Sequence, residues 1–382
     1  MRRQVLLALP AALALALSVS AVAGASPSTQ AGTVRNTHVC DRPAPGSAGC
    51  LAIRHDSVTA HGDAVSHATP AGYGPPAIRS AYGLGAAKSG TVAIVDAFDD
   101  PKAEADLGVY RKQFGLPACT TANGCFKKLN QSGGTTRPPA DGGWAQEISL
   151  DLDMVSAACP ACKIRLVEGT SASFSDLGKA ENTAAGLAGV KAVSNSYGGS
   201  DSRQVAAYRH PNIAITASTG DAGFGVQSPA SFDSVIAVGG TSLRRDSSAR
   251  GWHETAWNGA GSGCSTLNAK PTWQTAATKC SGKASADVSA VADPNTGVAV
   301  YDSFAFQGVS GWLVFGGTSA SSPIIASVYA MSSHLPSFPA SYTWAHPGGL
   351  NDVTSGRNGT CSPAVWCTSA KGWDGPTGLG TP

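Results

Sequence analysis

The segment Thr91-Val-Ala-Ile-Val-Asp96 is an uninterrupted apolar run that ends in an acidic residue. Such a run predicts a strand buried on both faces, as in parallel sheets, because half-exposed strands alternate apolar and polar residues. Helical spacing and further apolar runs alternate along the rest of the chain, at 100–114, 146–158, 163–167, 176–188, 213–217 and 235–238. This alternation predicts an α/β fold with a central, mostly parallel sheet and helices on both faces.

Composition and charge limit the class of protein. The 382 residues are 42% hydrophobic, and 27 Lys and Arg face 25 Asp and Glu, a formal charge of +2. The apolar content excludes wholesale disorder. Without Arg2 and Arg3 the charges balance, and no basic block stands out, so the sequence gives no support to a nucleic-acid or anionic-membrane partner.

The chain opens with a basic start, an apolar stretch and small residues up to Ala25, the pattern of a signal peptide over residues 1–25. We therefore expect a secreted, extracellular protein. Residues 26–70, rich in Ser, Ala, Pro, His and Gly, are expected to form a short, loosely ordered segment, and 71–382 one catalytic domain. No later segment is apolar enough to span a bilayer.

The ten cysteines fall as five pairs of sequence neighbours. An even number of cysteines in an exported chain indicates disulfides, and short local loops are the simplest pairing, although sequence alone leaves the connectivity open. The pairs are Cys40 and Cys50, Cys119 and Cys125, Cys159 and Cys162, Cys264 and Cys280, and Cys361 and Cys367.

One candidate nucleophile is Ser319, in the segment Phe315-Gly-Gly-Thr-Ser-Ala-Ser-Ser-Pro323. Small neighbours let a substrate backbone approach its hydroxyl, and a helix beginning there would direct free N–H groups at a developing oxyanion. The plain alternative is a Ser-rich helix cap. A serine nucleophile also needs a base, and none of the eight histidines lies in a subtilisin-type His-Gly-Thr context.

Carboxyl groups offer another base. Glu147 and Asp151 are four residues apart in a predicted helix and therefore share one face. Two neighbouring acids repel as anions and favour holding one proton between them. The alternative is a solvated acidic patch, which is the expected place of nearby Asp153.

A third candidate is Asp221, in Thr219-Gly-Asp-Ala-Gly223 directly after an apolar run. Aspartate between glycines is commonly a turn residue. In an apolar site it can instead stay protonated and donate a hydrogen bond to an oxyanion.

Taken together, these motifs and their order resemble the sedolisin (serine-carboxyl) peptidase family over nearly all of 70–382. The resemblance implies a subtilisin-like fold, Ser319 as nucleophile, Glu147 as general base and acid, Asp151 as its orienting partner and Asp221 as the oxyanion donor. It also implies that protein or peptide substrates pair with the strand formed by Ser194, Asn195, Ser196, Tyr197 and Gly198.

The C-terminal part resembles the calcium site of the same family. The resemblance implies one structural calcium ion, held by the side chains of Asp352 and Asp374 and by the carbonyls of Val353, Ala370 and Gly372. The alternative is a Gly-rich turn that happens to contain two acids. Family members usually have Gly at position 370, where a positive φ would strain alanine.

The leading interpretation is a secreted, monomeric endopeptidase that forms an acyl-enzyme on Ser319 and works at acidic pH. Family members usually carry a long folded propeptide, whereas only residues 26–70 separate the signal from the domain here. That departure keeps open a second interpretation, a catalytically silent secreted binding protein. A third, a true subtilase with Asp96 as the triad acid, lacks a histidine in the expected context.

Overall fold

The computed structural model describes Met1 and residues 33–59, 63–85 and 88–382. The rest of the predicted signal peptide and residues 26–32 lie outside the described residues. Eighteen strands occur in the described part of the chain: β1 (Thr33–His38), β2 (Gly49–Cys50), β3 (Ile53–Val58), β4 (Ala64–Val65), β5 (Thr91–Ala97), β6 (Phe126–Asn130), β7 (Lys163–Gly169), β8 (Ala192–Asn195), β9 (Tyr197–Ser200), β10 (Ala214–Ser218), β11 (Gln227–Ser228), β12 (Ile236–Arg245), β13 (Trp252–Ala256), β14 (Gly263–Ala269), β15 (Gly282–Ser285), β16 (Val288–Val291), β17 (Val298–Phe306) and β18 (Val309–Gly316).

Six α-helices accompany them in the same described ranges. They are α1 (Pro75–Ala81), α2 (Ala103–Gln113), α3 (Gly142–Ala158), α4 (Phe174–Gly186), α5 (Thr318–Ala330) and α6 (Ala340–Ala345). The Asp141 carboxylate caps α3 by accepting a hydrogen bond from the N–H of Trp144 at 3.0 Å. Helix α5 begins immediately after β18, so the end of a strand and the first turn of a helix meet at Thr318.

The central sheet has the strand order β13-β12-β10-β8-β5-β7-β6, with β16 also paired to β12. All of these pairs are parallel except β12 with β13. Helix α5 packs on β8, β10 and β16 and against α3, while α4 packs on β7 and β5. The predicted α/β fold with a mostly parallel sheet is confirmed, and its apolar strands are buried as continuous runs should be.

Residues ahead of 71 differ from the expectation of loose order. Strands β1 and β3 form an antiparallel hairpin, and β3 joins β18 and β17 in a second sheet. The compact unit therefore begins at Thr33, not near residue 71. The expectation failed because this sheet depends on pairing between residues more than 250 positions apart, which local composition does not reveal.

The ten cysteines form five disulfides, each between the sequence neighbours that the simplest pairing joins. Three of the bridges lie in or against the main hydrophobic core, and Cys264–Cys280 belongs to a separate small cluster with Trp373. None of the described helices is both long and apolar enough to cross a membrane.

Candidate active site

Ser319 lies in the first turn of α5 and is fully buried. Its hydroxyl donates a hydrogen bond to Glu147 Oε2 at 2.9 Å, and Oγ lies 3.2 Å from the carbonyl oxygen of Ser196. The serine and the carboxyl group come from α5 and α3, which pack directly against each other. A hydroxyl and a carboxyl oxygen at this distance can exchange a proton.

Glu147 and Asp151 lie one turn apart in α3, and both are fully buried. Glu147 Oε1 and Asp151 Oδ2 have no hydrogen-bond donor among the described residues, so the two neighbouring carboxyl groups can share a proton. Burial raises the pKa of Glu147 well above its usual range, and the neighbouring Asp151 raises it further. Burial likewise raises the pKa of Asp151. The pair therefore holds a proton at pH values where exposed carboxyls are ionised.

Asp96, at the end of β5, adds a third carboxyl group to this cluster. Burial raises the pKa of Asp96 well above its usual range, and the nearby Asp151 and Glu147 raise it further. Both of its carboxyl oxygens lack a hydrogen-bond partner within the described ranges. Asp96 thus holds no histidine there, which removes the basis of the subtilase interpretation. In the sequence, Asp96 is marked by its place as the acidic residue at the end of the apolar run that forms β5.

Asp221 approaches the first turn of α5 from the loop after β10. Its Oδ1 accepts hydrogen bonds from the N–H and the hydroxyl of Thr318, both at 2.8 Å. Its Oδ2 is buried without a partner in the part of the chain described. Burial raises the pKa of Asp221 to about 7, although the bonds from Thr318 oppose the shift. Below that pH Oδ2 can carry a proton and donate it to an acceptor.

The predicted substrate strand divides into two parts. The side chains of Ser194 and Asn195 bond inside the fold, to the Ser322 hydroxyl and the Thr216 carbonyl. The Ser196 hydroxyl donates to Asp151 Oδ1 at 2.7 Å and so orients the carboxyl pair. Tyr197 and Gly198 begin β9, and the backbone edge at these two residues pairs with another extended segment.

That edge is covered by a segment of the same chain, Gly49–Ile53. Cys50 and Gly49 pair antiparallel with the two residues that begin β9, and the Leu51 N–H donates to the Ser196 carbonyl at 3.2 Å. Leu51 and Ala52 are buried over Ser319 and Glu147. The sequence alone does not reveal this segment, because nothing local marks it as a partner of β9.

Gly317 shows how closely the segment approaches. It has φ +92°, and a Cβ there would lie 1.9 Å from the Leu51 carbonyl oxygen and 2.6 Å from Asp221 Oδ2. Glycine is required both by its backbone conformation and by these contacts. The Leu51 carbonyl oxygen and the free oxygen of Asp221 therefore face the same small space.

Asp153 is not on the surface, as the sequence analysis expects, but buried at 1% exposure. Its Oδ2 accepts a hydrogen bond from the N–H of Tyr301 at 2.9 Å. Burial raises the pKa of Asp153 well above its usual range. It faces the second sheet and takes no part in the contacts around Ser319.

Each of the two acids predicted to bind calcium contacts the C-terminal loop that carries Ala370 and Gly372. Asp352 Oδ2 accepts from the N–H of Gly372 at 2.9 Å, and Asp374 accepts from the N–H of Ala370 and from Thr377. The described residues contain no group of three or more His, Cys, Asp or Glu able to hold a metal ion. Any ion here would therefore rely on backbone carbonyls in addition to the two carboxylates.

The protein has a mostly parallel sheet, and a serine in a helix lies against a buried pair of carboxyl groups. These features define a subtilisin-like protein of the serine-carboxyl type. Comparison with known proteins supports this class. The chain is 33% identical to sedolisin of Pseudomonas sp. (strain 101) over 177 residues, 41% of this chain and 29% of that one. It is 29% identical to kumamolisin of Bacillus sp. (strain MN-32) over 323 residues, 73% of this chain and 56% of the relative.

Among solved structures, Pseudomonas sedolisin, a serine-carboxyl proteinase complexed with two molecules of pseudo-iodotyrostatin, superposes with a TM-score of 0.66. The match has 24% identity and covers 82% of this chain and 96% of that one, so it shows the shared fold. No family model matches the chain. The chain spans between about a third and about half of the length of these two sequence relatives. The chain is thus similar to sedolisin in both sequence and fold, and to kumamolisin in sequence.

Proposed function

We propose that the protein is a secreted, monomeric serine-carboxyl endopeptidase that hydrolyses peptide bonds of protein or peptide substrates at acidic pH. The observation that carries this proposal is the 2.9 Å hydrogen bond from the Ser319 hydroxyl to Glu147. All four predicted catalytic side chains converge within one buried site, and nothing observed favours a silent binding protein. The sedolisin relatives support the same reaction class.

In the first half of the reaction, Ser319 Oγ attacks the substrate carbonyl carbon while Glu147 takes the hydroxyl proton. Asp151, held by Ser196, shares the proton of the pair and orients Glu147. Protonated Asp221 donates from Oδ2 to the oxyanion that forms. Glu147 then returns its proton to the leaving amine, and the C–N bond breaks.

In the second half, water attacks the acyl-enzyme ester. Glu147 accepts a proton from that water and returns one to Ser319 Oγ as the ester bond breaks. This chemistry works only while Asp221 is protonated and the carboxyl pair retains one proton. The raised pKa values of these groups therefore place activity on the acidic side, and activity is lost as the pH rises through about 7.

Hydrolysis of an unfolded protein at pH 4 tests the proposal. The assay compares the full chain with Ser319→Ala, and both are also made with Leu51→Asp, which loosens the segment covering the site. We expect cleavage products whenever Ser319 is present and none from Ser319→Ala. Equal rates with and without Ser319, in both backgrounds, would refute a serine peptidase.

We further propose one structural calcium ion at Asp352 and Asp374. The carbonyl oxygens of Val353, Ala370 and Gly372 accept no hydrogen bond from any described residue, which leaves them free as ligands. Ala370 is not among the residues with positive φ, so its carbonyl can be presented without backbone strain. Calcium accepts such a set of hard oxygens, and its role here would be to fix the C-terminal loops.

Removing calcium is expected to lower the melting temperature by several degrees, since an ion present at 100 times its Kd adds about 2.7 kcal/mol to the free energy of unfolding. Differential scanning calorimetry of Ser319→Ala, which avoids self-digestion, with calcium or chelator provides the measurement. Asp352→Asn should abolish the calcium response, whereas Asp246→Asn, an exposed aspartate, should preserve it. An identical melting temperature with and without calcium would contradict the site.

A further inference from the structure

The segment Gly49–Ile53 lies across the candidate site as an extended peptide. On one side of Leu51, residues 49 and 50 pair antiparallel with β9. On the other side, Ile53 pairs antiparallel with Gly316, three residues before Ser319. Such β-strand addition is the way many proteins bind peptides in extended form.

The backbone polar atoms of Leu51 and Ala52 face the groups that would act on the peptide bond between them. The Leu51 N–H donates to the carbonyl of Ser196, which also lies 3.2 Å from Ser319 Oγ. The Leu51 carbonyl oxygen shares the space beside Gly317 with Asp221 Oδ2. The Ala52 N–H faces the carboxyl group of Glu147. The proposed oxyanion donor therefore faces the Leu51 carbonyl oxygen. The proposed general acid faces the Ala52 nitrogen, which would leave as an amine.

Both sides of this peptide unit are held by the rest of the chain. On the side that follows, the buried Arg54 donates to Gln146 Oε1 of α3 at 2.8 Å and to Asp56 at 2.6 Å. On the side that precedes, Cys50 is bonded to Cys40. Strand β1, which precedes the peptide unit in the chain, pairs with all six residues of β3, which follows it.

We propose that Leu51–Ala52 is a peptide bond that the chain presents to its own Ser319, and that the hairpin Thr33–Val58 acts as a built-in, substrate-like inhibitor. This proposal rests on the proposed peptidase function. It also assigns a substrate preference, because the position before the attacked bond holds the apolar Leu51 and the position after it holds the small Ala52.

The chemistry is that of the proposed reaction applied to the chain itself. Ser319 Oγ bonds to the Leu51 carbonyl carbon, the Leu51–Ala52 C–N bond breaks, and Glu147 passes the serine proton to the Ala52 nitrogen. Water then hydrolyses the ester to free Ser319 and a Leu51 carboxylate. Because β1 and β3 hold both ends, the new amine stays beside the ester and can re-form the peptide bond, which keeps turnover slow.

Peptide mapping of the full chain tests the presentation of this bond. After incubation between pH 3 and pH 7, a fraction of wild-type molecules should carry new termini at Leu51 and Ala52. The two pieces should elute as one folded species and separate in urea without reductant, since Cys40 and Cys50 belong to the same piece. Ser319→Ala, treated identically, should remain intact.

Calorimetric binding of a tripeptide aldehyde that ends in leucine tests the inhibition. The aldehyde carbon adds to Ser319 Oγ and its oxygen takes the hydroxyl proton, so no leaving group is needed. We expect Leu51→Asp to bind it at least tenfold more tightly than the wild-type chain, because a competing occupant raises the apparent Kd. Cys40→Ala/Cys50→Ala should also bind more tightly, and Cys119→Ala/Cys125→Ala should match wild type.

Near-ultraviolet circular dichroism of each variant is the control for folding. An intact Leu51–Ala52 bond at every pH would overturn the proposal, as would unchanged aldehyde affinity in both folded hairpin variants. If the aldehyde still binds the wild-type chain and not Ser319→Ala, the peptidase function survives that result. If it binds none of the variants, the peptidase function itself fails.

Discussion

Replacing Glu147 with Gln should slow hydrolysis of an unfolded protein on the order of 10³-fold, the scale of general acid–base catalysis. The amide keeps the size of the side chain but cannot take the Ser319 proton. The hydrogen bond from the serine hydroxyl can persist, so we expect the loss in kcat and little change in KM. Initial rates at pH 4, with both enzymes carrying Leu51→Asp to expose Ser319 equally, provide the measurement.

Asp153→Asn is the matched control for that substitution. Asp153 is also a buried acid of α3 with a raised pKa, but it faces the N–H of Tyr301. Its amide oxygen can still accept that bond, so the rate should stay within a few-fold of the parent. A Glu147→Gln variant that retained more than a tenth of the parent rate would exclude Glu147 as the base.

The free energy of unfolding should fall by several kcal/mol as the pH rises from 4 to 8. Burial raises the pKa of Glu181 to about 8 and that of Asp302 to about 8, whereas unfolded carboxyls titrate near 4. A raised folded pKa adds stability that is complete below about pH 4 and lost as the pH passes the folded pKa. Each pKa unit corresponds to about 1.36 kcal/mol.

Urea unfolding of Ser319→Ala at pH 4, 6 and 8 measures this slope without self-digestion. Adding Glu181→Gln removes one titrating group, so the slope should become smaller, and the stability at pH 8 should rise relative to the parent. Glu104→Gln, at a partly exposed glutamate, is the matched control. Stability that increased from pH 4 to pH 8 would show that these carboxyls are not held neutral in the folded protein.

Features that depend on neighbouring residues in the chain could be predicted from the sequence. The apolar run that became β5 indicated the parallel sheet, and the four-residue spacing of Glu147 and Asp151 placed them one turn apart in α3. The approach of Glu147 to Ser319, 172 positions away, followed only from the family resemblance. No residue pattern by itself states which helix will pack against which.

The parts that depend on distant pairing were not predictable. The Pro- and Ser-rich composition around 26–70 suggested loose order, yet β1 and β3 are ordered because β18 offers a partner edge. Asp153 has the sequence context of a surface acid, yet it is buried because the second sheet supplies the Tyr301 N–H. In both cases the deciding contact lies more than 140 residues away.

The pH dependence of kcat/KM between pH 3 and pH 9, measured with Leu51→Asp on an unfolded substrate, tests the central claim most directly. If a carboxyl pair serves Ser319 and protonated Asp221 serves the oxyanion, the rate is high in acid and falls as the pH passes about 7. A rate that instead climbs through pH 6.5 and stays high at pH 9 is the behaviour of an imidazole base, and it would contradict this account.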